Sequence, residues 1–256
     1  MGFYDLSKDE RAQLVQKIDS AILKGLKDGD SKTLLPYFED SDTYIRKAAY
    51  LAIGKVYKAK KVAPLKIISV LKSLMESDSE KVRQTTVNAA GEIGKTDFPL
   101  VQTFFERELF DVHHSVRNAV IGSIKKMGEK NPQPVLGWAK TYLHHPNKEI
   151  RREICHGIEL RGRTHPQDIL PLLKELQHDP TARVRNTLIH VLGQIAYKKG
   201  CLKTVVNELN HWENKELVEK ALDEIVDVHH RYKNFAVLSQ EEVMVFIDQH
   251  YMKRPD

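Results

Sequence analysis

Asp179, Arg185 and His190 lie close together in one stretch, HDPTARVRNTLIHVLGQIA, and these residue types could form a catalytic or phosphate-binding site. An arginine guanidinium, in particular, matches the oxygens of a phosphate as a bidentate fork. Asp179 and Arg185 nevertheless belong to a pattern that recurs along the chain, and a repeated feature usually serves the repeat itself. Their roles therefore depend on the elements that carry them.

Arginine recurs at steps of 37, 34, 34 and 34 residues, and an isoleucine or a valine precedes it each time. The aligned arginines are Arg46, Arg83, Arg117, Arg151 and Arg185. A further step of 34 residues reaches Val218 and Glu219, where the apolar residue persists and the arginine is lost. Self-similarity at a fixed period of this length indicates a repeat architecture.

Each repeat contains two helical patterns separated by a polar turn. In one repeat, Ile169 and Leu173 share a face of the first pattern, and Val184 and Leu188 share a face of the second. Neither helix could bury its apolar stripe alone, so we expect the pairs to stack as a solenoid. Glycine inside a helix costs about 1 kcal/mol relative to alanine. Close helix packing is therefore expected at three glycines that follow the arginines: Gly54, Gly91 and Gly193.

An acidic residue six positions ahead of the arginine, within an apolar helix pair, resembles the HEAT repeat. The resemblance covers residues 31 to about 232 and implies an all-α, right-handed α–α superhelix of about six helix pairs with capping helices at both ends. We expect the aspartate and arginine of each repeat to bond each other and the turns between repeats. This ladder comprises Asp40, Arg46, Arg83, Asp111, Arg117, Asp179 and Arg185. It has two irregular members, since Asp78 lies five residues ahead of Arg83 and His145 replaces the acid in the Arg151 repeat.

The repeats are predicted to form a single domain over residues 1–256. Residues 1–30 and 233–256 would hold the capping helices, and residues 31–232 the repeats. The segments SKDE from Ser7 and SQEE from Ser239 fit the capping box, in which a hydroxyl and a carboxylate satisfy free backbone donors at a helix start. The first helix is expected to run to about Leu26.

A row of basic residues recurs near the ends of the second helices. Stacking would align it as a stripe that could follow a nucleic-acid backbone. The helix macrodipole explains the same positions, since it favours each cation at a helix C-terminus by about 0.3 to 1 kcal/mol. The row comprises Lys58, Lys60, Lys61, Lys95, Lys125, Lys126, Lys130, Arg161, Arg163, Lys198, Lys199, Arg231 and Lys233.

Composition places the chain in the soluble globular class, with 41% hydrophobic and 29% charged residues and a net charge of +5. No apolar run is long enough to span a membrane and no secretory signal is evident, so a cytoplasmic location is expected. Cys155 and Cys201 are expected to be buried, without a disulfide or a zinc knuckle.

No metal site, small-molecule cofactor or known catalytic motif is predicted from the spacing of the polar residues. Three histidine pairs lie near predicted helix ends or turns and are interpreted as solvated: His113–His114, His144–His145 and His229–His230. His156 and His190 share one register position, five residues after Arg151 and Arg185 respectively.

Residues Ile150 to Trp212 resemble the HEAT-like repeats of bacterial DNA alkylation repair glycosylases. The matching features are the helix start at Ile150, Arg151 and Arg152, the turn that ends at Arg185, and a closing Trp212. The resemblance implies a concave basic cleft for the DNA backbone, with Arg151 or Arg152 as a backbone contact. The repeat where the family carries a catalytic aspartate and a tryptophan reads HHSVRNAVIGSI, with Arg117 and Asn118 instead.

We therefore expect a non-enzymatic HEAT-repeat scaffold that binds a macromolecule, either protein or nucleic acid, on its curved surface. The alternative is a DNA-binding protein, or a DNA glycosylase of the alkylation repair type, that uses a basic groove on duplex DNA. No catalytic residue is assigned. The candidate DNA-binding residues are Lys125, Lys126, Arg151, Arg152, Arg161, Arg163, Lys198 and Lys199.

Overall fold

The computed structural model describes residues 2–252 and has an all-α fold, as the sequence predicts. The chain divides into two compact units, Met1–Asn131 and Pro132–Asp256. The predicted single-domain organisation stays a prediction. The helices of the first unit are α1 (Lys8–Asp28), α2 (Leu35–Phe38), α3 (Thr43–Lys58), α4 (Pro64–Met75), α5 (Glu80–Gly94), α6 (Phe98–Glu108) and α7 (His114–Lys130). Those of the second unit are α8 (Pro132–Lys140), α9 (Lys148–Gly157), α10 (Glu159–Gly162), α11 (Pro166–Lys174), α12 (Ala182–Ala196), α13 (Leu202–Leu209), α14 (Lys215–Arg231) and α15 (Gln240–His250).

In the first unit, helices α1, α3, α5 and α7 pack side by side in one layer, and α4 and α6 cover them in a second layer. The core lies between the layers and includes the fully buried Ile53, Phe38 and Phe105. Phe38 and Ile53 belong to one helix pair and Phe105 to another, so the pairs bury their apolar stripes against one another.

In the second unit, α9, α12 and α14 form one layer, and α11 and α13 pack beside them. Helix α15 packs against α14 and α13. Trp212, which follows α13, is among the largest fully buried side chains of this unit.

Both predicted capping boxes are confirmed. At α1, the Ser7 hydroxyl accepts the backbone N–H of Glu10, whose carboxylate accepts the N–H of Ser7. Ser239 and Glu242 form the same box at α15. Helix α1 ends two residues beyond the predicted Leu26, at Asp28, because Gly29 adopts a left-handed conformation with φ of 75°.

The predicted close packing at the repeat glycines is also confirmed. A Cβ atom at Gly91 would lie 2.6 Å from the hydroxyl of Ser123, and one at Gly193 would lie 2.8 Å from Cγ of Glu224. Both neighbours belong to the next helix of the same layer. Glycine is required here because any side chain would push the adjacent helices apart.

The ladder arginines fasten their own turns through backbone carbonyl groups. Nη1 of Arg83 donates to the carbonyl oxygens of Ser77 and Asp78, at 2.9 and 3.0 Å. Nη1 of Arg151 makes the same two contacts with His145 and Pro146, at 2.7 and 3.0 Å. Arg46 and Arg117 follow this pattern, and Arg185 bonds the carbonyl oxygen of Asp179.

Asp111 and Asp179 bond the arginine of the preceding repeat, which differs from the prediction of a side-chain pair within one repeat. Arg83 binds both carboxylate oxygens of Asp111, 28 residues later, with Nε 2.7 Å from Oδ2. Arg151 binds Asp179 in the same way across 28 residues, with Nε 2.5 Å from Oδ2.

The turn itself explains this orientation. Oδ1 of Asp111 accepts the backbone N–H of His113, and Oδ1 of Asp179 accepts that of Thr181. This local bond holds each carboxylate on its own turn, facing the previous helix pair. Arg83 and Arg151 therefore each join two successive repeats.

Glu108 lies beside the Arg83–Asp111 pair and is buried. Burial and a hydrogen bond with Asp111 raise the pKa of Glu108 to about 7. Burial would also raise the pKa of Asp111, but bonds from Arg83 and from the N–H of His113 outweigh it and lower that pKa to about 2. Between about pH 2 and pH 7, an ionised Asp111 therefore lies beside a protonated Glu108.

Replacing Asp179 should strongly destabilise the second unit. Asp179→Ala leaves the guanidinium of Arg151 buried without its anion, which costs about 3–5 kcal/mol. Urea unfolding measures the free energy directly. Asp40→Ala is the matched control, because the Asp40 carboxylate accepts the same turn bond from Asp42 and has no arginine partner among the described residues. An equal loss of unfolding free energy in Asp179→Ala and Asp40→Ala would contradict a stabilising role for the Arg151–Asp179 pair.

Glu108→Gln should change how stability depends on pH. The folded-state pKa of Glu108 is above its ordinary value of 4.5, so its contribution is present below pH 4.5 and is lost as pH rises through 7. Glutamine does not titrate, and the variant should gain stability relative to the parent across this range, on the order of 2 kcal/mol. Urea unfolding at several pH values tests this. Glu39→Gln, at an exposed position, controls for the change in net charge. If the free energy of unfolding depended on pH in the same way in Glu108→Gln and in the parent, Glu108 could not be protonated in the folded protein.

Candidate functional site

The exposed side of α3 and α5 carries polar and aromatic side chains over a shallow cavity of about 300 Å³. Tyr44, Lys47 and Tyr50 follow one another at three-residue steps on α3, so they share one face of that helix. Gln84 and Asn88 of α5 line the cavity from the adjacent repeat. Side chains of two successive repeats thus meet at this surface.

Lys126 of α7 extends the same surface to a third helix. Its ammonium group lies 5.8 Å from the ring centre of Tyr50, within the range of a cation–π contact. Desolvation lowers the pKa of Lys126, and the cations of Lys95 and Lys47 add to this effect against the opposing charge of Glu92. Lys47 and Lys95 therefore both lie within electrostatic reach of Lys126.

An aromatic cluster continues this surface toward the start of the chain. Tyr4 and Tyr44 pack edge to face at 4.4 Å between ring centres, and both are exposed. Arg11 lies over the ring of Tyr4 at 5.1 Å. We call the group of Tyr4, Tyr44, Lys47, Tyr50 and Lys126 the basic–aromatic face.

Sequence reasoning found only Lys126 of this face. Tyr44, Lys47 and Tyr50 carry a signal in the sequence, because they occupy the side of α3 opposite to its apolar stripe. Lys125, the other predicted residue of the first unit, is half-buried on α7.

The predicted DNA-binding arginines of the second unit are held in ion pairs. Arg151 is buried against Asp179, and Arg161 binds Asp168 at 2.6 Å. Arg152 binds Glu149 at 2.9 Å. Arg163 binds the buried Glu159 and donates to Oε1 of Gln194 at 2.9 Å.

The predicted lysines of the second unit lie nearer the surface than the predicted arginines. Lys198 lies 4.3 Å from the ring centre of Tyr197, and Lys199 is exposed. The predicted basic row therefore contains both surface cations and members of internal ion pairs. Its arginines balance acids of the second unit, whereas Lys126 belongs to a group of cations in the first.

His156 and His190, which share a register position in the sequence, face each other across α9 and α12. Their ring centres are 6.2 Å apart. Nε2 of His156 lies 3.0 Å from Oε2 of Glu159, a carboxylate that is 2% exposed, and Nδ1 of His190 lies 3.4 Å from Oε1 of Glu224. Within residues 2–252, His156, Glu159 and His190 form the group of side chains whose arrangement could hold a metal ion.

Two surface cavities flank His190. One, of about 310 Å³, lies between α9 and α12 and is lined by His156, Arg152 and Arg183. The other, of about 440 Å³, lies between α12 and α14 and contains Glu224 and Arg231, which bond each other at 2.6 Å. The first cavity thus carries the cations Arg152 and Arg183, and the second carries Arg231 beside two acids, Glu224 and Asp227.

One predicted solvated histidine is in fact buried. His229 lies inside α14, where its Nδ1 donates to the carbonyl oxygen of Ile225 at 2.7 Å. Burial lowers the pKa of His229, so the neutral form is favoured. The adjacent His230 is exposed, as expected for a residue near the helix end.

Membrane insertion has no candidate helix: within the described part of the chain, none combines the length and the apolar character that a span needs.

The helix pairs and their arginine ladder define the architecture. The chain has a HEAT-like helical-repeat fold. No protein-family model and no curated protein sequence matches the chain.

Several solved structures are similar to the chain. AlkD2 from Streptococcus mutans is 17% identical, with 89% of this chain and 99% of that chain covered and a TM-score of 0.47. A chain in the structure of Kap95p bound to RanGDP is 14% identical, with 83% and 31% covered and a TM-score of 0.45. A designed armadillo repeat protein is 18% identical, with 74% and 94% covered and a TM-score of 0.31. At these values the likeness carries nothing about the activity of this chain.

The two cysteines are buried, as predicted from the sequence. Burial raises the pKa of the Cys155 thiol far above its usual range. Burial also raises the pKa of Cys201, whose Sγ lies 3.4 Å from the carbonyl oxygen of Arg163. Thiolate is the reactive form of cysteine, so neither side chain is placed to act as a nucleophile.

Both thiols should react slowly with a water-soluble disulfide reagent in the folded protein and fully in denaturant. The reason is that the reagent requires an accessible thiolate, which burial withholds. Absorbance of the released thiol measures the extent of reaction. The variant Ser20→Cys, at an exposed position of α1, serves as a rapidly reacting control. Rapid modification of two thiols in the native parent would refute their burial.

Proposed function

We propose that the chain is a helical-repeat scaffold that binds nucleic acid through the basic–aromatic face of its first unit. The observation that carries the proposal is the position of Lys126 of α7 over Tyr50 of α3, beside Lys47 of the same helix and across the intervening α5. Repeat proteins commonly use such continuous surfaces to bind extended partners.

The chemistry of this face matches a polyanion that also carries flat rings. Lysine ammonium groups neutralise backbone phosphates and release the counterions that surround them. Exposed tyrosine rings provide surfaces on which unpaired bases stack, each worth about 1–3 kcal/mol. Tyr4 and Tyr44 have 61% and 43% of their surface exposed, which leaves their rings accessible to a ligand.

The predicted arginines of the second unit are excluded from this proposal by their ion pairs. Each of the four predicted arginines binds an acid of the fold, so their guanidinium groups are committed to structure: Arg151, Arg152, Arg161 and Arg163. Lys126, which lies on this face, and the adjacent Lys125 remain the proposed contacts among those derived from the sequence, whereas Lys198 and Lys199 are surface cations of the second unit. Tyr44, Lys47 and Tyr50 join them from the structure.

Base excision, the alternative implied by the resemblance to alkylation repair glycosylases, has less support. Such a reaction would need an acid placed among the aromatic side chains of the face. The acid next to Lys126 is Glu92, and its carboxylate is bound by Lys95 at 2.6 Å. A scaffold without excision activity therefore remains our proposal.

The variant Lys47→Glu/Lys126→Glu should bind nucleic acid at least tenfold more weakly than the parent. Two phosphate contacts are lost, so the slope of log affinity against log salt should become shallower by about 2. Fluorescence anisotropy with labelled single-stranded and duplex DNA at several salt concentrations measures both effects.

The matched control is Lys32→Glu/Lys72→Glu, which changes the net charge equally at two exposed lysines of the same unit. Equal weakening in the two variants would attribute binding to net charge and defeat the assignment of this face. Failure of the parent to bind either DNA at low salt would overturn the nucleic-acid proposal in favour of a protein partner. Release of an alkylated base from a modified duplex would establish excision.

A further inference from the structure

His156, Glu159 and His190 converge in the second unit although they come from three different helical elements. His156 lies on α9, Glu159 begins α10, and His190 lies on α12 of the next repeat. One ring nitrogen from each histidine and one carboxylate oxygen all lie within 4.8 Å of one another. The fold stacks the two histidines because they share one position in successive repeats, and α10 brings the carboxylate between them.

These separations suit a metal ion after small rotations of the side chains. Ligand atoms about 2.1 Å from a tetrahedral zinc ion are separated from each other by about 3.4 Å. The His156–Glu159 distance of 3.0 Å is already close to this value. The side chains of His156 and His190 are 38% and 44% exposed, which gives their rings room to turn and lets an ion enter from solvent.

Glu159 forms the fixed base of the group. Only 2% of its side chain is exposed, and its Oε1 accepts a bond from Arg163 while Oε2 faces His156. Arg163 is held in turn by Gln194. A carboxylate oriented by a second layer of hydrogen bonds is typical of metal sites, because those bonds fix the ligand before the ion arrives.

Glu224 supplies a second carboxylate next to His190. Its Oε1 lies 3.4 Å from Nδ1 of that ring. A carboxylate that bonds a metal-binding imidazole fixes the ring and raises its basicity. Glu224 is itself held by Arg231 at 2.6 Å.

We propose that His156, Glu159 and His190 form a binding site for a divalent transition-metal ion, with Zn²⁺ as the preferred ion. Two imidazole nitrogens and one carboxylate oxygen suit zinc and its neighbours in the first transition row, whereas Mg²⁺ and Ca²⁺ prefer oxygen ligands alone. This site is independent of the proposed nucleic-acid face, which belongs to the first unit.

Three protein ligands leave a fourth position of a tetrahedral ion for a water molecule or another ligand. The histidines border the cavity of about 310 Å³ that also contains Arg152 and Arg183. Cations beside an open metal position favour an anionic oxygen ligand, such as a phosphate or a carboxylate. The ligand class that this site would accept is therefore a small anion bound to the metal.

Titration calorimetry of the full chain, first stripped of metal with a chelator, tests the site with Zn²⁺ alone. We expect one ion per chain, and more than about 100-fold weaker binding in His156→Ala and in His190→Ala. Loss of a direct ligand should exceed the roughly 10- to 100-fold effect of losing a supporting hydrogen bond. His178→Ala, at an exposed histidine of the same unit, is the matched control and should bind like the parent.

Thermal unfolding with and without Zn²⁺ gives a second measurement that confirms the variants are folded. The ion should raise the melting temperature of the parent and of His178→Ala, and have less effect on His190→Ala, since a ligand stabilises only the form that binds it. Absence of binding to the parent at micromolar Zn²⁺, or equal affinity in His190→Ala and His178→Ala, would overturn the proposal. Neither result depends on whether the chain binds DNA.

Discussion

The bidentate bond between an arginine and the aspartate of the next repeat is the interaction on which each helix array depends. Arg83–Asp111 and Arg151–Asp179 have the same geometry in the two units, and each guanidinium also binds the carbonyl groups of its own turn. An arginine so placed satisfies backbone acceptors at a turn and connects two helix pairs at once. Removing either the arginine or the aspartate leaves buried polar groups without partners, which costs more than the bond itself contributes.

The sequence predicted the repeats well because their apolar periodicity and arginine spacing are local signals. It also predicted the boxes at Ser7 and Ser239, where all the interacting atoms lie within four residues. It did not predict which arginine each aspartate binds, because that choice follows from the turn bond that orients the carboxylate. For Asp179 this is the contact with the N–H of Thr181.

The candidate sites were only partly predictable for a related reason. The shared register of His156 and His190 follows directly from the repeat, but Glu159 joins them only because α9 ends at Gly157 and a separate short helix begins. In the first unit, Lys126 meets Tyr50 across an intervening helix, a contact that no single repeat encodes. Side chains that converge from several repeats require the stacking geometry, which the sequence alone did not supply.

The two units use their positively charged side chains differently. In the second, arginines are paired with acids such as Glu149, Glu159 and Asp168, so cations there stabilise the fold. In the first, Lys47 and Lys126 lie close enough for one ammonium group to lower the pKa of the other. Charge that is not neutralised internally is available to attract an anionic partner.

The ladder also bears on how such a chain can change its length. Arg151 bonds a carbonyl group six residues earlier in the chain and a carboxylate 28 residues later, and these two separations add up to one 34-residue step. Duplicating or deleting a whole repeat would therefore preserve both kinds of bond. An insertion of any other length would move the aspartate away from the arginine of the preceding repeat. The 37-residue step shows this: Ser77 stands where a ladder aspartate would be, and Arg46 contacts only the side-chain oxygen of Gln84 in the next repeat, at 3.5 Å. Growth by whole repeats is thus the route that this bonding pattern leaves open to evolution.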